Sequence, residues 1–308
     1  MLEFLLISLI VSSVVSHHPS QNPSTLRVMT FNIWNSAMNV ENGLQKVAKH
    51  ISIVNPDIVG LQEVYNGAAE NIIKILGSDW KFVQNPDPSY PDTVILTKHE
   101  IVANTLISTK YGSGCEIVLK TGEKVHFWNA HLDYEYYGPS MAFNPDVTDA
   151  KQIRAVEYIR RVPGMLEILD LPDFKTWRSN SEQIPIIICG DFNVPSHRDW
   201  TEETKKIHNN WVVEWPTTKI LEYYGFTDSF REVNPNVLEN SALSWSTVLD
   251  HKYAEPADRL DFIFYKGPIA TSKSVMYAGN EKLNKKPYHY ENDYPSDHYA
   301  FITDFTFV

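Results

Sequence analysis

Apolar and polar positions along the chain alternate between short strand-like runs and helix-like stripes. RVMTFNIW at 27–34 reads as a strand that ends in polar side chains. In the following stretch Leu44, Val47, Ala48 and Ile51 fall at i, i+3, i+4 and i+7, one face of an amphipathic helix. Asn55-Pro56 stops it, because the residue before proline avoids the helical region. DIVGLQEV (57–64) is a second strand, and GAAENIIKILG a helix that breaks at Gly77. TVILTK, GCEIVLK and KVHFWNAHL predict three closely spaced strands, the last two joined at Thr121-Gly122-Glu123, a hairpin signal. The tyrosine-rich stretch 133–150, broken by Gly138-Pro139 and Asn144-Pro145, predicts a long functional loop. A helix over 149–170 follows, with Ile153, Val156, Ile159 and Arg160 at helical spacing. IPIIICGDFN (184–193) is a buried strand with a polar end. Beyond it come a helix from Thr217 to Tyr224, a short strand signal at SWSTV, the strand RLDFIFYKG and a terminal YPSDHYAFITDFTFV. No linker divides the chain. Strands alternating with helices predict one α/β unit whose core is two sheets faced by helices.

The amino-terminal run FLLISLIVSSVV (4–15) is uncharged and too short to span a ~30 Å bilayer core. It suits a secretory leader over 1–16, with Val14 and Ser16 at −3 and −1 of a cut before His17, although Glu3 departs from the usual basic start. The expected domain then runs from Leu26 to the end at 308, in a secreted or lumenal protein. Such a location permits a disulfide between Cys115 and Cys189, while the run IPIIIC equally suits a buried free thiol at Cys189. There is no N-x-S/T sequon, so N-glycosylation is not expected. With 43% hydrophobic and 21% charged residues, the 308-residue chain is neither a disordered tail nor a polytopic membrane protein. Its 27 basic against 38 acidic residues, a net charge of −11, argue against an extended groove that holds duplex nucleic acid by phosphate neutralisation, and none is expected. A divalent metal can still supply positive charge at one phosphate.

The chemistry-bearing residues cluster at the ends of apolar runs: Asn32, Glu63, His131, Asp191 with Asn193, and Asp297-His298. One such polar end is ordinarily a turn residue. Five of them, carrying carboxylates, amides and imidazoles, converge if the strands share a rim. Hard oxygen and nitrogen donors of this kind suit Mg²⁺ or Mn²⁺. HExxH, a Gly-rich phosphate loop and GxSxG are all absent, which removes zinc-protease, P-loop and serine-hydrolase readings.

TFNIW (30–34), GLQEV (60–64), NAHLD (129–133), GDFN (190–193), RLDFIF (259–264) and PSDH (295–298), in this order, resemble the endonuclease/exonuclease/phosphatase superfamily. Its relatives include secreted deoxyribonucleases, abasic-site endonucleases, inositol-polyphosphate 5-phosphatases and neutral sphingomyelinases. NVPSHRDWT (193–201) is similar to a secreted subgroup apart from these enzymes. The resemblance implies a deoxyribonuclease-I-like α/β/β/α sandwich, two mixed sheets flanked by helices. It also implies a metal-dependent phosphoesterase, with Mg²⁺ or Mn²⁺ held by Glu63 and the shell completed by Asn32 and Asp297. Asp191 would orient or deprotonate the attacking water, and Asn193 would hold a non-bridging oxygen. His298 would donate to the phosphate, with His131 as a second histidine. The carboxylate paired with His298 is Asp258 or Asp261, and Asp261, which continues directly into FIFY, is favoured.

The implied substrate is a phosphate ester, most simply a diester. Tyr134, Tyr136, Tyr137, Phe143, Trp34 and Trp245 can stack on a base or lie against a lipid interface, and nothing in the composition selects a membrane. The competing reading is a non-catalytic ligand-binding protein on the same scaffold; it predicts substitutions at Glu63, Asp191 or His298, and none is present. Expressed in a secreting cell with a carboxy-terminal tag, the protein should appear in the medium with His17 as its first residue. Intact Met1 on cell-retained protein, read by mass spectrometry, would contradict the leader.

Overall fold

The computed structural model describes residues 24–86, 92–250 and 256–308; the leader expected at 1–16 lies outside the described residues. The strands, in chain order, are β1 (Thr25–Asn32), β2 (Ile58–Gln62), β3 (Lys81–Gln84), β4 (Val94–Thr97), β5 (Glu100–Ile101), β6 (Ile107–Thr109), β7 (Gly112–Val118), β8 (Lys124–His131), β9 (Ile186–Asp191), β10 (Thr227–Asp228), β11 (Asp261–Lys266), β12 (Ile269–Tyr277) and β13 (Ala300–Phe307). They form two mixed sheets, ordered β12-β13-β1-β2-β4-β3 and β10-β11-β9-β8-β7-β5, with β6 added on β7. β1 and β2 run parallel, as do β8 and β9; the other pairings are antiparallel.

Three apolar layers make this a four-layered α/β/β/α sandwich. Between the sheets, Val28, Ile58 and Phe305 of the first meet Phe127, Ile187 and Ile263 of the second. On the outer face of the first sheet, Met29, Phe31 and Leu61 pack against Val47 and Ile51 of helix Gly43–Val54 and Ile72 of helix Ala68–Leu76. On the outer face of the second, Trp128, Ile188 and Phe262 pack against Met165 and Ile168 of helix Arg161–Asp170 and Trp177 of helix Pro172–Ser179. β2 and β9 are buried along their whole length because both faces are covered, which explains their unbroken apolar sequences.

A polar clasp crosses the interior between the two sheets. The Asn129 amide of β8 donates to the carbonyls of Leu61 (2.7 Å) and Val94 (3.0 Å) in the opposite sheet. The Gln62 amide returns a hydrogen bond to Asn129 Oδ1 at 2.6 Å and reaches Thr30 Oγ1 at 3.1 Å. The sheets approach closely here: a Cβ on Gly60 would lie 2.4 Å from Cys189 Sγ and 2.8 Å from Asn129 Oδ1. Cys115 and Cys189 are both free and buried, and burial pushes the Cys115 thiol up to about 12.

Three expectations are corrected. The stretch 133–150 is not all loop, since it carries a short helix, Gly138–Ala142, with Pro139 in its first turn. The single helix over 149–170 is two, Ala150–Ala155 and Arg161–Asp170, with a 3-10 turn at Val156–Tyr158 between them. Pro163 has no N–H to give the carbonyl of Ile159, and its ring crowds that carbonyl. The buried stripe is Ile153, Glu157 and Arg161, while Ile159 is exposed. SWSTV is not a strand: Trp245 makes isolated bridges to Asp258 and to His298, tying two site segments together. No helix among the described residues is long and apolar enough to cross a membrane.

Replacing Asn129 with Leu takes its donor from two carbonyls in a dry interior, each worth about 1–3 kcal/mol, while the Gln62 amide keeps Thr30 Oγ1 and the Gly60 carbonyl. The variant should lose about 3 kcal/mol or more, read as a lowered urea midpoint.

Candidate active site

The site lies on the rim where the parallel strands β1, β2, β8 and β9 end. Strands antiparallel to these begin on the same rim. Asp297-His298 precede β13 rather than ending a strand, and Asp261 opens β11 directly opposite Asp191. Asp92, two residues before β4, arrives in the same way.

His298 and His131 have matched settings. His298 Nδ1 is 2.9 Å from Asp261 Oδ2, and His131 Nδ1 is hydrogen-bonded to Asp92 Oδ2. Their other nitrogens face one carboxylate: Asp191 Oδ2 lies 3.6 Å from His298 Nε2 and 3.8 Å from His131 Nε2. All five groups are buried. Burial alone would lower both imidazoles. For His298, Asp261 and Asp191 overcome this and hold it well above its usual value; for His131, Asp92, then Asp191, raise it to about 9. Burial raises Asp191, with the Asp261 charge adding to it, against the pull of His298 and His131. Asp258, the other carboxylate considered for His298, accepts instead from Trp200 Nε1 at 2.7 Å and Tyr137 Oη at 3.2 Å. Burial pushes it up to about 8.

Glu63 stands just beyond β2 with φ +60°. Its Oε1 accepts from Asn32 Nδ2 (2.9 Å) and its Oε2 from the Asn35 N–H (2.6 Å). Asn35 belongs to a run, Trp34–Ala37, with φ between +49° and +57°, a left-handed path that costs about 1–2 kcal/mol per non-glycine residue. Two further bonds hold that run, Ser36 N–H to the Glu63 carbonyl (2.8 Å) and Trp34 N–H to Asn32 Oδ1 (2.9 Å). The Asn32 amide also donates to Asp191 Oδ2 at 3.0 Å, so it brackets two carboxylates while its oxygen is committed to Trp34. Asn193 gives its amide to the Leu132 carbonyl at 2.9 Å and its backbone N–H to Asp191 Oδ1 at 2.9 Å.

These groups suit a divalent cation beside Glu63. Five carboxylates, Glu63, Asp92, Asp191, Asp261 and Asp297, face only two imidazoles here. Burial, with the nearby Glu63 charge adding to it, pushes Asp297 up to about 6, and its Oδ1 is buried with no hydrogen-bond partner. Asp191, Asp261 and His298 also bring ligand atoms within 4.8 Å of one another. A cationic imidazole cannot ligate a metal, however, so that trio suits proton holding instead.

Above the rim is a cavity of about 780 Å³. Glu63, His131, Asp191, Asn193, Asp297 and His298 form its floor, and Trp34, Tyr65, Tyr134, Tyr136, Tyr137 and Trp245 line it with rings. Phe143 is not part of it and sits on a neighbouring groove beside Trp211.

The sequence model of the Endonuclease/Exonuclease/phosphatase family matches residues 29–298. The chain belongs to this family, and with it to the metal-dependent phosphoric ester hydrolases. It is 49% identical over 315 residues to the uncharacterized protein F14F9.5 of Caenorhabditis elegans, covering 100% of both. Among solved structures, it resembles truncated C. elegans TDP2 with a TM-score of 0.57 at 19% identity, covering 92% of this chain and 98% of that one. D. rerio TDP2 complexed with single strand DNA product gives 0.57 at 16% identity, covering 92% and 99%. The human Nocturnin catalytic domain gives 0.55 at 16%, covering 92% and 95%. At these identities the likeness is one of fold.

Asp92→Asn removes the first neighbour that raises His131, so its pKa should fall clearly from about 9, measured by NMR of the imidazole. A raised folded-state pKa contributes stability that is present below 6.5 and lost as pH rises through about 9. The variant should therefore lack the rise in stability that the parent shows between pH 9 and 6.5.

Proposed function

We propose that the chain hydrolyses a phosphodiester by in-line attack of water, at a centre formed by Asp191 between two carboxylate-held histidines. The observation that carries this reading is the convergence of His131 Nε2 and His298 Nε2 on one buried carboxylate, 3.8 and 3.6 Å away. Glu63 and Asp297 would hold Mg²⁺ or Mn²⁺, with Asn32 fixing Glu63 as a donor. When bound, the cation polarises the phosphoryl oxygens and offsets the surplus of carboxylates. Asp191, raised by burial, takes the proton of the attacking water as the new O–P bond forms and the bond to the leaving oxygen breaks. His298 and His131, kept cationic by Asp261 and Asp92, donate hydrogen bonds to non-bridging oxygens whose charge grows in the transition state. Asn193 supplies the second hydrogen of its amide to the same oxygens. The apolar run at 4–15 supports export, which would place the reaction outside the cytosol.

Bis(p-nitrophenyl) phosphate should be hydrolysed with Mg²⁺ or Mn²⁺ and spared when EDTA is present. Glu63→Ala and His298→Ala should each lower kcat by about a hundredfold or more with circular dichroism unchanged. Unchanged turnover in either variant would leave a binding protein on this scaffold as the better reading.

A further inference from the structure

One wall of the cavity is segment 133–137, with the rings of Tyr134, Tyr136 and Tyr137, and its backbone is held from behind by a side chain that plays no part in the reacting centre. Arg161 is fully buried and all five of its guanidinium hydrogens are used. Nε and Nη2 pair with the buried Glu157 at 2.9 and 2.8 Å. Nη1 donates to the carbonyls of Asp133 (2.8 Å) and Glu135 (2.6 Å), and Nη2 to that of Tyr136 (2.5 Å). Three carbonyls within four consecutive residues are thus set by one rigid fork. Tyr137 fastens the far end through its hydroxyl on Asp258 and its ring edge against Trp245, 6.3 Å between centroids.

The wall presents rings to solvent, with Tyr134 68% and Tyr136 53% exposed. Tyr134 stacks on no other ring among the described residues. Two rings already carry a cation on a face: the Arg160 guanidinium is 6.0 Å from Tyr136, and Lys286 Nζ is 5.0 Å from Trp34. Arg160 is shared with Asp133 (3.8 Å) and Glu135 (3.6 Å), so it is Lys286, over Trp34, that would repel a quaternary ammonium head group. A flat uncharged ring would stack on them, and an adjoining phosphate would meet Lys286.

We propose that segment 133–137, positioned by Arg161, recognises a planar, uncharged aromatic substituent of the diester, a nucleobase or a ring of that kind. This rests on the phosphodiesterase reading above. Three substrates that release the same p-nitrophenolate separate the two: thymidine 5′-(p-nitrophenyl phosphate), methyl p-nitrophenyl phosphate and p-nitrophenyl phosphorylcholine. The nucleoside diester should exceed the methyl diester in kcat/KM by about fivefold or more, chiefly through KM. Tyr134→Ala, Tyr136→Ala and Arg161→Ala should each shrink that ratio, with Arg161→Lys intermediate. If Arg161→Ala does not fold, the two exposed tyrosines carry the test. A ratio unmoved while both rates fall together would make Arg161 merely structural and overturn the proposal. Preference for phosphorylcholine would overturn it in favour of a cation-binding wall, and equal use of all three would remove the wall alone. No hydrolysis of any of them would remove the phosphodiesterase reading itself.

Discussion

The site exists because two sheets stop at the same height, and the Asn129–Gln62 clasp sets that height. Apolar packing between sheets is tolerant of sliding, since one branched side chain does much the same work as its neighbour. Buried amides are not tolerant. Asn129 must meet the carbonyls of Leu61 and Val94, and Gln62 must meet Asn129, or dry polar groups are left unpaired. Glu63 follows Gln62 by one residue, and His131 follows Asn129 by two. Fixing the clasp therefore fixes how far the carboxylate of one sheet stands from the histidine of the other.

Most of the rim could be read from the sequence, because parallel strands buried on both faces are written as unbroken apolar runs that end abruptly in polar residues. Asn32, Glu63, His131 and Asp191 stand out for that reason. Asp92 did not, although it holds His131. It precedes its apolar run, and only antiparallel pairing of β4 with β2 turns a strand's beginning into a rim position. Asp297 and His298 obey the same geometry with β13. Their order in the chain shows them beside an apolar run but not which end of it faces the site. β12 was illegible for another reason: it is an edge strand, its ATSKS stretch is polar, and a bulge between Thr271 and Lys273 interrupts its period. The split in the helix at Pro163 was readable in principle, but the apolar spacing of Val156 and Ile159 outweighed it. The stripe that is actually buried rests on a Glu157–Arg161 ion pair, which a hydrophobic pattern does not register.

The electrostatics form a unit. Each imidazole has a carboxylate on Nδ1 and shares Asp191 on the other side, so neither can lose its proton cheaply while those carboxylates stay charged. The cost falls on the carboxylates, which crowd into a buried space with too little positive charge. Asp297, up to about 6, registers that strain. A divalent cation beside Glu63 would relieve it, pulling Asp297 back towards full ionisation. Cation binding and carboxylate ionisation in this site are thus linked, and each should strengthen the other as pH rises through the Asp297 range.

The reacting groups and the proposed recognition wall are carried by different kinds of structure. The reacting groups sit at the ends of strands whose positions the two sheets dictate, and moving any of them means moving a sheet. The tyrosines sit on a connection whose path is set by Arg161 and Asp258, neither of which touches the reacting groups. Such a division lets the segment that meets the substrate's substituent change while the hydrolytic centre stays as it is. It also explains why the six motifs of the centre identify a reaction so readily and a substrate so poorly. The residues proposed to meet the substrate's substituent lie between the motifs, in a stretch whose sequence pattern is neither strand nor regular helix.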